Sequence, residues 1–530
     1  MASISRLVGR HNSKAVRCFS IESVVTSSFS RSFAATGVNR TASHSYSTAQ
    51  VYKNHRIPPA PILHHPTDHT MSPAITTAIP TPRPSQSSYP YQAKPLPLPA
   101  KEYTFPNLAA LEEPPVDSNS KPSLPSAQRY PEWLQNLPFD FSTHLIPAAY
   151  PRCSPDVSIS PVPSPESASK AERNIHVEAT ADALDKFRDH YGRGHRNDKL
   201  LWLCLNRFSR KGTPVVGGLT LFFAHGTGFS KEMWEPIIRR LLTSPAGHNI
   251  NEVWVWDAYN HGDSALVNEG KLDILVDWHD PARDLVNFLL HYMPTNSQAQ
   301  LPTHLPRINA LEVEQRKQVG FSDRKLVTIG HSFGGTVTTL AAIDKSKLVD
   351  SLVLLDGAMV HPDDTINKAG LVTATLPRRD RWPSKDAALK QFSRSAFFQR
   401  WHPEVLRLYV EHGTFETPDG TVALKMSPLA EAMVYTNMPV TSAEAWIRLH
   451  RGELDENIEL RWIVPAPGQP ELCGTDVTQS RVWVRPENAS NVFIQGGGHM
   501  VPLEKPDEVA RQLSIFLQTK YGTRITLASL

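Results

Sequence analysis

A short stretch in the middle of the chain constrains the fold more than any other. A β-branched run at 326–329 leads into Gly330-His331-Ser332-Phe333-Gly334-Gly335, and residues 336–343 then favour a helix. A buried strand, a glycine turn and a helix are the context in which G-x-S-x-G forms a nucleophile elbow. The glycines let strand and helix approach closely, and the turn lifts the serine hydroxyl clear at a helix N-terminus. Ser332 is therefore the candidate nucleophile.

A second motif near the end of the chain supplies a candidate base. The pattern G-H-x-x-P-x-E-x-P begins at Gly498, after a strand pattern at 492–495 and before an amphipathic helix pattern at 506–521. A histidine after the last strand is placed to take the proton of Ser332 and deliver it to the leaving group. His499 is therefore the predicted triad histidine, and the order serine, acid, histidine is that of α/β-hydrolases.

The acid of the triad has more than one candidate. Asp356 ends the strand pattern that follows the elbow helix, while Glu471 lies in the loop after the penultimate strand pattern, 28 residues before His499. Asp476 lies further along the same loop. The position of Glu471 is the commoner one for a triad acid, but it falls two residues late, so the residues alone leave these alternatives open.

The oxyanion hole is predicted from a loop about 100 residues before the elbow. The apolar strand pattern at 218–224 ends in His225-Gly226-Thr227-Gly228. Such a loop commonly provides the second backbone donor of an α/β-hydrolase. We expect the backbone N–H groups of Thr227 and Phe333 to face the developing oxyanion, where each donor lowers the barrier by about 3–4 kcal/mol.

Strand and helix patterns alternate through the domain predicted for residues 141–530, which indicates an α/β fold. Further strand patterns lie at 200–208, 253–256, 351–355 and 460–464. Residues 361–455 interrupt the alternation and are rich in Trp, Phe, Tyr and Met. We predict a mostly parallel sheet flanked by helices, with these residues inserted as a helical cap that supplies an apolar pocket for a small ester or acyl substrate.

The amino-terminal part has a different composition. Residues 1–50 are rich in Arg and Ser with a single acid, Glu22, which is typical of a mitochondrial transit peptide. Of the 45 prolines, 25 lie between Pro58 and Pro165, so residues 51–140 are predicted to be a disordered linker. The terminal Ala528-Ser529-Leu530 matches a peroxisomal signal poorly, because the middle position lacks a cation. Mitochondrial targeting is expected, with peroxisomal or cytoplasmic location as alternatives.

Composition excludes several classes of function. The net charge is +3 and no basic stripe with interleaved aromatics occurs, which argues against nucleic-acid binding. The sequence has no apolar run of 18 residues, so no transmembrane helix is expected. The four cysteines lie far apart without metal-ligand spacing, which predicts free thiols, and no cofactor is implied.

Several segments together resemble a known group of proteins. They are T-H-L-I-P-A-A-Y-P-R, L-F-F-A-H-G-T-G-F-S-K-E-M-W-E-P, W-H-D-P-A-R-D-L, I-G-H-S-F-G-G and G-G-G-H-M-V-P-L-E-K-P. In this order they resemble the fungal α/β-hydrolases that include the yeast peroxisomal lipase and hydrolases of toxin biosynthesis, over about residues 141–520. The resemblance implies a serine hydrolase of esters, and it favours Asp356 over Glu471. A catalytically silent scaffold and an acyltransferase remain the alternatives.

Overall fold

The motif strand lies at the middle of an eight-stranded sheet. The computed structural model describes residues 102–117, 121–164, 167–191, 195–272, 275–364 and 366–522. They belong to one of two compact units of the chain, and the other, residues 27–83, lies outside the described residues. The predicted transit peptide and the last three residues also lie outside them.

The helices and strands alternate in chain order, with short 3₁₀ and π turns between some of them. They are β1 (Phe139–Pro147), α1 (Lys170–Tyr191), β2 (Trp202–Arg210), β3 (Leu219–Ala224), α2 (Glu235–Leu242), β4 (Ile250–Asp257), α3 (Gly262–Val267), α4 (His279–Asn287), α5 (Ala310–Val319), β5 (Lys325–His331), α6 (Phe333–Asp344), β6 (Ser351–Leu355), α7 (Lys368–Thr375), β7 (Arg381–Trp382), α8 (Lys385–Phe392), α9 (Ala396–Gln399), α10 (Pro403–Gly413), β8 (Thr414–Glu416), β9 (Val422–Leu424), α11 (Pro428–His450), β10 (Glu459–Pro465), α12 (Thr475–Val482), β11 (Ala489–Ile494), α13 (Val501–Glu504) and α14 (Pro506–Tyr521).

The sheet has the strand order β1-β2-β4-β3-β5-β6-β10-β11. The pairs β1–β2 and β2–β4 are antiparallel, and every later pair is parallel. Side chains alternate between two cores: Leu352 and Leu354 of β6 face one side of the sheet, whereas Val353 and Leu355 face the other. A sheet covered on both faces requires apolar residues at successive positions, which explains the continuous apolar runs in the sequence.

The predicted mostly parallel sheet with flanking helices is confirmed, and four details differ. The sequence analysis missed the edge strand β1, because prolines flank it and its first half alternates polar and apolar residues. Helix α1 begins ten residues before the short helix suggested at 180–190, since only Val177 and Leu184 are buried along it. The polar insertion at 294–320 contains helix α5, and strands β7, β9 and β8 form a small sheet within the predicted cap.

The end of the predicted linker packs on the domain. Trp133 stacks on Phe208 with ring centroids 5.5 Å apart, and its Nε1 donates a hydrogen bond to Glu235 over 3.0 Å. Arg129 forms an ion pair with the same carboxylate. Residues 102–117 and 121–140 are therefore a docked arm, because aromatic and charged groups offset the high proline content. The disorder prediction now concerns residues 51–101, which lie outside the described residues.

Across the described parts of the chain, no helix is both long and apolar enough to cross a membrane. Cys153, Cys204 and Cys473 are buried free thiols, as expected for three of the four cysteines. The fourth, Cys18, lies outside the described residues.

The docked arm leads to a first prediction. Trp133→Ala should lower the free energy of unfolding by about 2 kcal/mol, because the ring contact with Phe208 and the hydrogen bond to Glu235 are both lost. Urea unfolding followed by circular dichroism measures the change. Gln128→Ala, at an exposed position of the same arm, should stay within about 0.5 kcal/mol of the unaltered protein. Equal stability of the two variants would contradict the docking.

Candidate active site

The turn between β5 and α6 holds Ser332 in a strained conformation. Its φ is 51° and its ψ is −118°, a backbone conformation that residues with a side chain rarely adopt. A Cβ atom on Gly330 would lie 2.4 Å from the carbonyl oxygen of Gly334, and one on Gly334 would lie 2.4 Å from that of Ala224. Both glycines are therefore required, and the half-buried Ser332 side chain remains accessible to a substrate.

The sheet brings the loops of the site together. Strands β3, β5 and β6 are parallel and adjacent, with Ala224 opposite Gly330 and Gly330 opposite Leu354. Because the carboxyl ends of parallel strands meet at one edge, the loops after these strands lie side by side. They carry Thr227, Ser332 and Asp356, and the loop after β11 brings His499 to the same edge.

Three of the predicted residues form a continuous hydrogen-bonded chain. His499 Nε2 lies 3.0 Å from Ser332 Oγ, and His499 Nδ1 lies 2.6 Å from Asp356 Oδ2. An ionised carboxylate only accepts hydrogen bonds, so the proton is assigned to Nδ1. The lone pair of Nε2 is then free to accept the hydroxyl proton of Ser332. This geometry allows the imidazole to act as a base toward the serine.

Asp356 is fixed by a residue that the sequence analysis missed. The buried Arg481 of α12 donates to Asp356 Oδ1 over 2.6 Å and to the carbonyl of Gly357 over 2.7 Å. Burial by itself raises the pKa of the Asp356 carboxyl, but Arg481 and the bond from His499 outweigh it and bring the pKa below its usual value. Asp356 is therefore ionised at neutral pH. No motif in the sequence connects Arg481 to the site.

The structure does not bring Glu471 to His499. Glu471 is buried, but its Oε1 accepts hydrogen bonds from Thr475 Oγ1 at 2.5 Å and from the N–H of Gly468 at 3.2 Å. The backbone of this loop, and not a side chain, contacts the histidine: His499 N donates to the carbonyl of Pro470 over 2.7 Å. Asp476 is exposed in the first turn of α12. Of the three candidate acids, Asp356 alone is bonded to His499.

The two predicted oxyanion donors lie in neighbouring loops. Phe333 is the first residue of α6, so its N–H has no acceptor within the helix. The loop of Thr227 lies against the elbow, since a Cβ atom on Gly226 would be 2.6 Å from His331 Nδ1. The structure thus brings both loops to the edge of the sheet that carries Ser332.

Two buried histidines hold these loops and are neutral. His225 Nε2 accepts the N–H of Ala258 over 3.0 Å, so its proton is on Nδ1, which donates to the carbonyl of Gly226. His331 donates from Nε2 to the carbonyl of His499 over 2.9 Å. Burial lowers the pKa of His225 to about 4 and that of His331 to about 3. Both residues are structural supports of the loops around Ser332.

The loop after β4, D-A-Y-N-H-G-D-S, is also structural. Asp257 is fully buried, accepts the N–H groups of Lys231 and Asp263, and pairs with Lys231 Nζ over 2.8 Å. His261 stacks on Phe333 with an interplanar angle of 15°. These contacts hold the first residue of α6 in place.

The inserted residues contribute an aromatic cluster beside the oxyanion loop. Trp401, Tyr409 and Phe392 pack with Phe229, which directly follows Gly228. In the described parts of the chain, no group of three or more His, Cys, Asp or Glu side chains is arranged to hold a metal ion.

The fold and this site define the class of protein. The family model described as the alpha/beta hydrolase family matches residues 221–512, and the chain belongs to that family. Relatives and solved structures similar to the chain come from fungi. The type I acyl-CoA thioesterase mpaH' of Penicillium brevicompactum is 29% identical over 207 residues, which cover 38% of this chain. The match spans 41% of the thioesterase, so it covers less than half of that relative.

Two further similarities concern one yeast protein. Peroxisomal membrane protein LPX1 of Saccharomyces cerevisiae is 26% identical over 326 residues, covering 56% of this chain and 74% of the relative. The crystal structure of the peroxisomal alpha-beta-hydrolase Lpx1 superposes with a TM-score of 0.52 at 20% identity, and the match covers 73% of this chain and 90% of the yeast chain. At that identity the likeness concerns the fold.

The neutral histidines lead to a prediction on pH. The unfolded chain takes up protons at histidine below about pH 6.5, whereas folded His331, with its pKa near 3, does not. Its contribution to stability is therefore complete above pH 6.5 and is lost as the pH falls. His331→Gln should reduce the loss of unfolding free energy between pH 7.5 and 5.0 by about 2 kcal/mol. Urea unfolding at both pH values measures it, and identical pH dependence in the two proteins would contradict the assignment.

Proposed function

We propose that this protein is a serine hydrolase that cleaves a carboxylic ester or a related acyl bond through an acyl-enzyme on Ser332. The observation that carries the proposal is the hydrogen-bonded chain from Asp356 through His499 to Ser332, with distances of 2.6 Å and 3.0 Å. Membership of a hydrolase family and the thioesterase relative support hydrolase chemistry in general.

The proposed reaction uses each group of the site in turn. Ser332 Oγ attacks the acyl carbon while His499 Nε2 accepts the hydroxyl proton, and Asp356 stabilises the imidazolium that forms. The N–H groups of Thr227 and Phe333 donate to the oxyanion. His499 then protonates the leaving group, and water attacks the acyl-enzyme with the same histidine as base. Every proton that leaves an attacking group is thus returned to a departing one.

A thioester is the second substrate class that a specific observation favours. The matched segment of the Penicillium relative belongs to an acyl-CoA thioesterase. The same acyl-enzyme serves an ester and a thioester, because the acyl carbon and its oxyanion are alike in both. The aromatic cluster of the cap next to Phe229 supports an apolar acyl group. We therefore propose a small apolar acyl substrate.

The cellular compartment is also a proposal. The Arg- and Ser-rich residues 1–50 favour mitochondrial import and stay a prediction. The name of the yeast relative places that protein in the peroxisome, which supports the peroxisomal alternative for this one. Imaging the full chain with fluorescent tags at either end in turn, beside mitochondrial and peroxisomal markers, distinguishes the two.

The nucleophile is tested by covalent labelling. A fluorophosphonate probe should modify the full chain at Ser332, since the reagent requires a serine activated by its base. Mass spectrometry of the labelled peptide identifies the site, and Ser332→Ala should abolish the label. Thr338→Ala, at a hydroxyl buried within α6, is the matched control and should keep it. A folded protein that takes no label would support the silent scaffold instead.

Substrate class is tested with two panels. We expect turnover of p-nitrophenyl esters of increasing chain length or of acyl-CoA thioesters, with the products identified in the presence of a competing alcohol. Free acid as the main product supports a hydrolase, whereas a new ester identifies an acyltransferase.

The choice of acid gives a separate prediction. Asp356→Asn should lower kcat on the best ester by about 10³- to 10⁴-fold, because the imidazole loses its partner and its correct tautomer. Glu471→Gln should change kcat less than about threefold, since that carboxylate bonds to Thr475 and Gly468. Steady-state kinetics of both variants decide the assignment, and a larger loss in the Glu471 variant would reverse it.

A further inference from the structure

Three consecutive residues of the cap contact both loops that carry the proposed catalytic groups. Arg400 donates from Nε and Nη2 to the two oxygens of Glu504 over 3.0 Å and 2.9 Å. The N–H of His402 donates to the carbonyl of Leu503 over 2.9 Å. Trp401, between them, packs edge-on against Phe229 with ring centroids 5.5 Å apart. We call residues 400–402 the cap bridge.

Glu504 connects the cap bridge to the triad histidine. Glu504 is the glutamate of the G-H-x-x-P-x-E-x-P motif, and the proposed chemistry leaves it without a role. Its Oε2 accepts the N–H of Gly498 over 2.7 Å, one residue before His499. A Cβ atom on Gly498 would lie 3.0 Å from the carbonyl oxygen of Pro470 and 3.1 Å from Arg400 Nη2. The backbone that precedes His499 is therefore held directly between the cap and the loop after β10.

Trp401 reaches the opposite side of the site. Phe229, its partner, follows the H-G-T-G loop that contains Thr227. The Phe229 ring also lies over His331, at 6.2 Å between centroids and 24° between planes. His331 in turn donates to the carbonyl of His499. One cap segment thus supports the loops of the proposed oxyanion donor and of the proposed base.

We propose that Arg400, acting through Glu504, is a positioning residue that fixes the His499 loop when the cap is in place. The inference rests on the proposed function for its kinetic consequence, whereas the contacts themselves do not depend on it. Glu504 is buried and its side chain is only 5% exposed, while that of Arg400 is 39% exposed. Without the guanidinium, the buried carboxylate would move toward water and release the N–H of Gly498.

The kinetic test uses Arg400→Met in the full chain. We expect kcat on the best ester to fall at least tenfold with KM changed less than twofold, because the base is misplaced while the substrate pocket remains. Arg400→Lys keeps the charge without the two-point contact and should fall between the two proteins. Arg407→Met removes an exposed arginine from α10 of the same cap and is the matched control, expected to match the unaltered protein.

Hydrogen exchange provides a readout that does not depend on activity. Exchange in the peptide that covers residues 496–504 should be at least tenfold faster in Arg400→Met and in Glu504→Gln than in the unaltered protein and in Arg407→Met. A global loss of fold would accelerate every peptide, so the local pattern separates positioning from unfolding.

The outcomes distinguish this inference from the proposed function. If the unaltered protein takes no fluorophosphonate and turns over no ester, the proposed function fails, and the exchange of residues 496–504 still decides the contact. If the unaltered protein is active but Arg400→Met matches it in both kcat and local exchange, the positioning role is overturned. Faster exchange with unchanged kcat would also overturn it, because the loop would move without consequence for the base.

Discussion

The close approach of β5 to α6 is the constraint on which the rest of the site depends. A serine with positive φ exists only where the surrounding packing holds it, and here Gly330 and Gly334 contact backbone oxygens at distances that exclude any side chain. The strain is offset by the buried apolar residues of β5 and its neighbours on both faces of the sheet. Its product is a half-buried hydroxyl at a helix N-terminus, directed away from the core.

Asp356 shows a second use of strain and burial. It is fully buried with a φ of 43°, and its two oxygens divide between Arg481 and His499. A buried carboxylate with one partner would favour its neutral form, which cannot orient the imidazole as an acceptor. The guanidinium keeps it ionised and fixes its rotation. The acid is therefore supported from α12, a helix that the sequence alone gave no reason to connect with the site.

The sequence analysis succeeded where local pattern and chemistry coincide. The strand and helix around Ser332 and the motif of His499 each carry glycines at fixed spacing, because backbone packing there depends on a few neighbouring residues. It could not decide between Asp356 and Glu471, since both follow strands whose ends meet at one edge. That choice depends on a loop conformation set by Pro470 and on Arg481, which lie 114 and 125 positions from Asp356. The edge strand β1 and the docked arm were missed for a related reason, because distant partners such as Phe208 and Glu235 stabilise them.

The strand order explains why the acid follows β6. His499 comes from the loop after β11, and Ser332 follows β5, three strands away in the order β5-β6-β10-β11. At about 4.8 Å between neighbouring strands, the histidine loop has to reach back about 14 Å across the sheet. It does so by contacts in strand order: the N–H of His499 bonds to Pro470 after β10, Nδ1 to Asp356 after β6, and Nε2 to Ser332 after β5. An acid after β6 lies directly between base and nucleophile, so the loop after β10 serves as a backbone support and its carboxylate is left to stabilise the loop itself.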